Sequence, residues 1–368
     1  MKIKQQLQGM ASYKPGMTPE NVRASLGLEK IVKLSSNENP KGPSPKAIEA
    51  ATKSLQQIFL YPDGYGLQLK QCLAAMHGMP VEQFILGNGS DEIILILCRA
   101  LLQAGDNTVM PTPSFPQYRH NAMIEGAECR EVELIQGAHA LDAMAEAIDD
   151  STKIVWICNP NNPTGVHISS EAFVAFMEKV PPHVLVVSDE AYIEYVTADD
   201  FPDSLALISK YPNLMVLRTF SKAYGLAGLR VGYGVASEAL ISQIDPAREP
   251  FNTSIPAHSA AIAALSDVNY LAETRNENAA IKATFRTFCE SLGLTVYPSE
   301  TNFVLVDFHA PADEVYNGLL HEGFIVRSGA ALGFPSAVRI TIGSEEDMAE
   351  LSAAISRVLP TLTVGEEK

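Results

Sequence analysis

Five short apolar segments between residues 84 and 217 each run into an unusual turn. Phe84-Ile85-Leu86 precedes Gly87-Asn88-Gly89-Ser90-Asp91, and Thr108-Val109-Met110 precedes Pro111-Thr112-Pro113-Ser114-Phe115. Ile154-Val155-Trp156-Ile157-Cys158 leads into Asn159-Pro160-Asn161-Asn162-Pro163-Thr164-Gly165. Val184-Leu185-Val186-Val187 leads into Ser188-Asp189-Glu190-Ala191-Tyr192, and Leu214-Met215-Val216-Leu217 into Arg218-Thr219-Phe220-Ser221-Lys222. Apolar runs that alternate with helix-like stretches predict strands buried on both faces of a mostly parallel sheet. In such sheets ligands bind beyond the carboxyl ends of the strands. All five turns fall at those ends, so they can converge on one site.

A length of 368 residues favours about two domains. Beyond residue 250 the alternation stops. Residues 257–265 and 270–292 read as helices, and residues 302–306 and 338–342 as strands followed by helices ending near Val358. The expected architecture is α/β. A large domain over residues 43–245 carries a mostly parallel sheet flanked by helices. A smaller α+β domain covers 246–368, with residues 1–42 as an N-terminal segment packing on it. Residues 45–57 read as the first helix of the large domain, and residues 365–368 as a frayed end.

The run Arg218-Thr219-Phe220-Ser221-Lys222-Ala223-Tyr224-Gly225-Leu226-Ala227-Gly228-Leu229-Arg230 carries the chemistry. A lysine amine condenses with carbonyls. Two hydroxyls, Thr219 and Ser221, and the guanidinium of Arg230 can bind a phosphate. One aldehyde-bearing phosphate ester fits that set: pyridoxal 5'-phosphate. Lys222 would hold it and, once displaced by a substrate amine, would act as the base that moves a proton at the substrate carbon. The charge of Arg230 would keep the amine's pKa low.

Other turns supply the remaining parts. Gly89, Ser90 and Asp91 precede a helix expected near Glu92, whose N-terminal amides suit a phosphate. The Asp91 side chain would repel that phosphate, so it is assigned to N-capping. An ordinary capped turn explains this segment equally well, and a dinucleotide fingerprint lacks its third glycine. Asp189 could pair with a protonated ring nitrogen or could simply cap a helix. Tyr192 and the amide of Asn162 could donate to the ring oxygen; otherwise they are a core-edge tyrosine and a turn asparagine. Phe115 could stack on the ring or sit in the core. Arg339 points away from the face shared by Val338, Ile340 and Ile342, and Arg327 lies at another strand end. Guanidinium forks there could bind an anionic substrate, or could be solvated.

Composition narrows the partners. With 27 basic against 43 acidic residues the net charge is -16, which disfavours nucleic acid and anionic membranes. An anionic substrate must then be met by a local group of arginines. No signal-peptide core opens the chain and no apolar stretch is long enough to span a bilayer. Five widely spaced cysteines read as free thiols in a reducing cytoplasm. No histidine falls in a ligand motif, so no metal is expected.

With these residues in hand, the chain resembles the pyridoxal-phosphate aminotransferases of the aspartate aminotransferase fold, and among them the histidinol-phosphate aminotransferase branch. The resemblance rests on Leu34-Ser35-Ser36-Asn37-Glu38-Asn39-Pro40, Tyr61-Pro62-Asp63, the Asn159 and Asp189 turns, the lysine run and Val338-Arg339-Ile340-Thr341-Ile342-Gly343. It implies amino transfer between L-histidinol phosphate and 2-oxoglutarate, a step of histidine biosynthesis, with an aromatic amino-acid aminotransferase as the alternative. It also implies a homodimer in which Tyr61 reaches the phosphate of the neighbouring subunit's cofactor, that Arg339 binds the substrate's acidic group, and that Asn37 lies near the active-site entrance. Many relatives carry Ala-Asp-Glu where this chain has Ser90-Asp91-Glu92, which leaves the phosphate contacts there open.

Overall fold

The computed structural model describes residues 3–11 and 16–363; residues 365–368, expected to fray, lie outside them. Seven strands form the main sheet: β1 (Phe84–Gly87), β2 (Asn107–Thr112), β3 (Glu128–Glu133), β4 (Thr152–Cys158), β5 (Leu185–Asp189), β6 (Leu214–Thr219) and β7 (Gly232–Val235). Their order is β1-β7-β6-β5-β4-β2-β3. Neighbours from β6 through β3 pair in parallel, and β7 runs antiparallel to both β6 and β1.

Side-chain alternation explains why these runs are apolar without interruption. Ile154 and Trp156 of β4, Leu185 and Val187 of β5, and Met215 and Leu217 of β6 pack on one face with Ile93, Ile94 and Leu97 of the helix Ser90–Leu101. Val155 and Ile157, Val186, and Leu214 and Val216 pack on the other with Phe173 and Phe176. Both faces are covered, so each strand position is apolar, and each large side chain contributes about 1.5–3 kcal/mol of burial.

Register then aligns the strand ends. Cys158 stands opposite Asp189, and Asp189 opposite Leu217. The turns that follow therefore open side by side.

The second domain has a four-stranded antiparallel sheet in the order β10-β11-β9-β8, from β8 (Thr295–Val296), β9 (Phe303–Asp307), β10 (Arg327–Ser328) and β11 (Ala337–Thr341). Val304, Val306, Val338 and Ile340 face its core with residues of the helices Ala312–His321 and Glu345–Val358. The N-terminal segment adds a short parallel pair, Val32–Lys33 with Phe324–Ile325, and buries Leu34 in this core.

One helix lies elsewhere than the sequence grouping placed it. Ile255–Leu265, assigned to the second domain, sets Ala257, Ala260, Ala261 and Ala264 into the core of the large domain beside Ala47 of the helix Pro45–Ser54. Alanines at that spacing form a flat face on which another helix can lie close, and hydrophobic pattern alone does not say which core receives it. The next helix, Val268–Ser291, carries Phe285 and Cys289 into the second domain's core.

Behind the strand ends, Arg218 of β6 donates from Nε and Nη2 to Glu190 Oε2 at 3.0 and 2.8 Å. The Glu190 side chain is 0% exposed. Removing one member of a buried pair leaves an uncompensated charge. Glu190→Ala should lower unfolding stability by about 3–5 kcal/mol, whereas the double change Glu190→Leu with Arg218→Met should cost markedly less. Denaturant unfolding of the three proteins measures both.

Candidate active site

A cavity of about 410 Å³ opens between the carboxyl ends of the strands and the second domain, with Lys222 on its wall. Lys222 Nζ donates to the carbonyl of Ser36 at 3.1 Å and stands 5.7 Å from the centre of the Tyr192 ring. Its turn is gripped by residues crossing from the N-terminal segment. Asn39 Nδ2 donates to the Ala223 carbonyl at 2.8 Å and to that of Gly42 at 3.2 Å. Gly225, at φ +71°, lies so close that a Cβ there would come within 2.4 Å of the Gly42 carbonyl. Burial pushes the Lys222 amine down to about 8, helped first by the charge of Arg339. Arg230, expected to help lower it, acts in the same direction but more weakly than Arg339.

Beside the lysine is a ring of donors. Thr219 Oγ1 donates to Ser221 Oγ at 3.0 Å, and Arg230 Nη1 donates to the same Ser221 Oγ at 3.1 Å. The helix Ser90–Leu101 starts here with Gly89 as its N-cap at φ +76°. A Cβ on Gly89 would stand 2.4 Å from Arg230 Nη2, so the glycine keeps the cup open. Asp91 does not cap the helix as expected. It lies in the first turn, and its carboxylate accepts from Arg230 Nη2 at 3.3 Å. Glu92 Oε2 instead accepts from the Asn88 amide at 2.6 Å.

Asp189 closes the floor. It is 3% exposed. Its Oδ2 accepts from the Tyr118 hydroxyl at 2.6 Å and its Oδ1 from the Ala191 amide at 3.2 Å. Burial lifts its carboxyl to about 6. Tyr192, also buried, takes a hydrogen bond on its hydroxyl from Asn37 Nδ2 at 3.0 Å, which leaves the phenolic proton free to donate. Asn37, expected near the entrance, is 1% exposed and is held by Thr341 and Asn302. Phe115 lines the cavity and meets the Tyr118 ring edge-on at 5.5 Å.

The second domain supplies two guanidinium groups. Arg327 and Arg339 face each other in register on β10 and β11, and both line the cavity. Arg339 donates to Asn162 Oδ1 and to the Ser35 carbonyl, each at 2.6 Å. That bond turns the amide nitrogen of Asn162 away from the arginine. Tyr61 is not in this cavity. It is 82% exposed and stacks on Phe251 at 4.8 Å.

Sequence reasoning missed Tyr118 and the carbonyls of Ser35 and Ser36. A tyrosine three residues after Phe115 has no signature apart from a core residue's, and backbone carbonyls leave no trace in composition.

This donor set fits pyridoxal phosphate. Asp189 is a buried carboxylate facing the cavity with a hydroxyl and an amide as its hydrogen-bond partners, and it suits a cationic ring nitrogen. The Gly89 cradle, Ser221, Thr219 and Arg230 can take an anion, and Lys222 an aldehyde.

Comparison with known proteins agrees with that chemistry. A family model described as aminotransferase class I and II matches residues 29–355. Histidinol-phosphate aminotransferase of Bacillus subtilis (strain 168) is 55% identical over 360 residues, covering 98% of this chain and 100% of that protein. The same-named protein of Geobacillus sp. (strain WCH70) is 54% identical over 359 residues, covering 98% of each. The crystal structure of histidinol-phosphate aminotransferase from Sinorhizobium meliloti in complex with pyridoxal-5'-phosphate superposes with a TM-score of 0.90 at 29% identity, over 98% of both chains. Aspartate aminotransferase from Thermus thermophilus with maleate shares the fold, with a TM-score of 0.84 at 22% identity over 97% of this chain and 100% of that one.

A depressed amine pKa is measurable on the cofactor-free protein. Lys222 should be half-reactive toward an amine-selective acylating reagent near pH 8, about two units below an ordinary lysine, because its neutral form appears at lower pH. Peptide mapping over a pH series reads this. Half-reaction near pH 10 would refute the depressed pKa.

Proposed function

The chain belongs to the class I and II aminotransferases, and from that premise we propose how its own residues carry the amino transfer. It is a pyridoxal-phosphate-dependent transferase that exchanges an amino group between L-histidinol phosphate and 2-oxoglutarate, giving imidazole acetol phosphate and glutamate in histidine biosynthesis. The cofactor supplies an aldehyde for the amine and a protonated ring that withdraws electrons from the substrate carbon.

Lys222 would hold the cofactor and, when free, would serve as the base that moves a proton at the substrate carbon. An amine near pKa 8 suits both directions at neutral pH. Asp189 would supply the negative charge for a protonated ring nitrogen. Tyr192 and the amide of Asn162 would donate to the ring oxygen, and Phe115 would stack on the ring. Gly89, Ser90, the backbone of Asp91, Thr219, Ser221 and Arg230 would hold the phosphate.

One observation carries the substrate assignment: Arg327 and Arg339 stand in register on neighbouring strands and line the same cavity as Lys222. Glutamate brings a carboxylate to them and histidinol phosphate a phosphate dianion, and a paired guanidinium wall accepts either. Asn37 shapes this wall by fixing Tyr192.

The proposal extends to a homodimer. Ile58, Phe59, Leu60 and Tyr61 are 63%, 81%, 55% and 82% exposed in one run, an apolar surface that calls for a partner. A second cavity of about 340 Å³, lined by Ile58, Leu60 and Phe251, also touches Arg230, so this surface adjoins the phosphate cup. A second copy would bring its Tyr61 there. Five free cysteines support a reducing compartment, the cytoplasm.

Donor preference tests the substrate reading. Removing the phosphate, as in histidinol, should lower kcat/KM on the order of a hundredfold, because the substrate loses its charge-assisted contacts to the two guanidinium groups. Arg339→Ala should damage glutamate and histidinol phosphate alike. Phenylalanine or tyrosine matching histidinol phosphate under the same conditions would replace this reading with the aromatic one.

Subunit mixing tests the dimer. Lys222→Ala and a Tyr61 variant damaged in cofactor binding should each be inactive or poor alone. Exchange should restore activity, since a mixed dimer puts both lesions in one site and leaves the other intact. No recovery, with mixed dimers shown to form, would place Tyr61 outside the neighbouring site.

A further inference from the structure

Tyr118 comes from the helix Gln117–Glu125, well away from Asp189 in the chain, and is fully buried. Its ring lies flat on Trp156, with centroids 4.8 Å apart and 8° between planes. Phe115 meets it edge-on. Trp156 belongs to β4, the strand next to the one that ends at Asp189. The phenol is therefore held by a residue of the strand beside the one that carries the carboxylate, and its hydroxyl makes the shorter of the two hydrogen bonds to Asp189, 2.6 against 3.2 Å.

We infer that Tyr118 is the positioning residue for Asp189: its hydroxyl fixes the plane of the carboxylate at the cavity floor and favours the ionised form that a cationic ring nitrogen requires. The inference rests on the reading of Asp189 as the partner of the cofactor ring. A hydrogen bond donated to a carboxylate stabilises its charged state. Burial works against it, and so do the like charges of Asp91 at the start of the facing helix and of Glu190 next in sequence. Cys158, opposite Asp189 on β4, is a buried thiol lifted to about 12, so it stays neutral. The Tyr118 hydroxyl and the Ala191 amide are what oppose the rise. Burial and Asp189 push the Tyr118 phenol itself well above its ordinary value, so it remains a donor wherever Asp189 titrates.

The sign follows. Asp189 is ionised above its folded pKa, and a contact that needs its charge is lost as pH falls through that value. Without the Tyr118 hydroxyl the loss comes at higher pH.

The full-length protein tests this with and without cofactor. Without it, the Asp189 carboxyl is followed by carbon NMR across pH, and Tyr118→Phe, which keeps the ring and its stacking, should raise the midpoint by about one unit. Affinity for pyridoxal phosphate, measured by fluorescence titration, should lose its acid limb at correspondingly higher pH, with binding at pH 5 about tenfold weaker. Fluorotyrosine at position 118, a stronger donor of nearly the same volume, should move both midpoints down, a sign that a packing role would not produce. An Asp189 midpoint that moves in neither variant overturns the inference at the hydrogen bond. A midpoint that moves while the acid limb of cofactor binding stays in place overturns it at its premise, the pairing of Asp189 with the ring.

Discussion

A single carboxylate at the end of a buried strand sets the terms for the cavity. Asp189 sits in register between Cys158 and Leu217, where the sheet is covered on both sides. Ionising a carboxyl there is costly, and the surroundings divide into groups that add to the cost and groups that offset it. The apolar strands add to it. Tyr118 and the Ala191 amide offset it in part, leaving a carboxyl near 6 rather than one fully neutral at physiological pH. What remains is a demand for a positive partner from the cavity side, so the apolar core that folds the sheet also prepares the floor for a cationic ring.

The arginines of the second domain act across the gap by the same logic. Arg339 is nearly buried, bonds Asn162 of the large domain and the Ser35 carbonyl, and lowers the Lys222 amine by its charge. One side chain thus ties the two domains, orients an amide and tunes a nucleophile. Its place opposite Arg327 comes from antiparallel register on β10 and β11. Two neighbouring strands must each offer an arginine to the same face for this to arise.

Much of this was legible in the residues because the strand pattern is strong. Continuous apolar runs identified β1, β2, β4, β5 and β6, and their ends gave the turns that the structure gathers around Lys222. The conformation of the individual turns was less legible. Asp91 reads as a cap from its position before a helix, but Gly89 occupies the cap and the Asp91 carboxylate goes to an arginine 139 residues away. Tyr118 and Asp189 meet across 71 residues, and Asn37 and Thr341 across 304. No local period records such meetings. The helix Ile255–Leu265 shows the same limit in packing: its alanine face suited either core, and it is the large domain's core, with Ala47 among its members, that receives it.

The stretch from Ser36 to Pro43 leaves the second domain, passes the lysine turn and enters the large domain. It meets the turn at the amine through the Ser36 carbonyl, at the backbone through Asn39, and at Gly225, where nothing larger than hydrogen fits. The connection between domains and the seat of the reactive nitrogen are therefore one mechanical assembly. Thermodynamic reciprocity applies to it. Whatever free energy a covalent change at the nitrogen lends to one placement of the connecting chain, that placement returns to the nitrogen in equal measure. A covalent change at the amine that shifted this connecting stretch would therefore be felt in the same measure at the amine when the stretch moved.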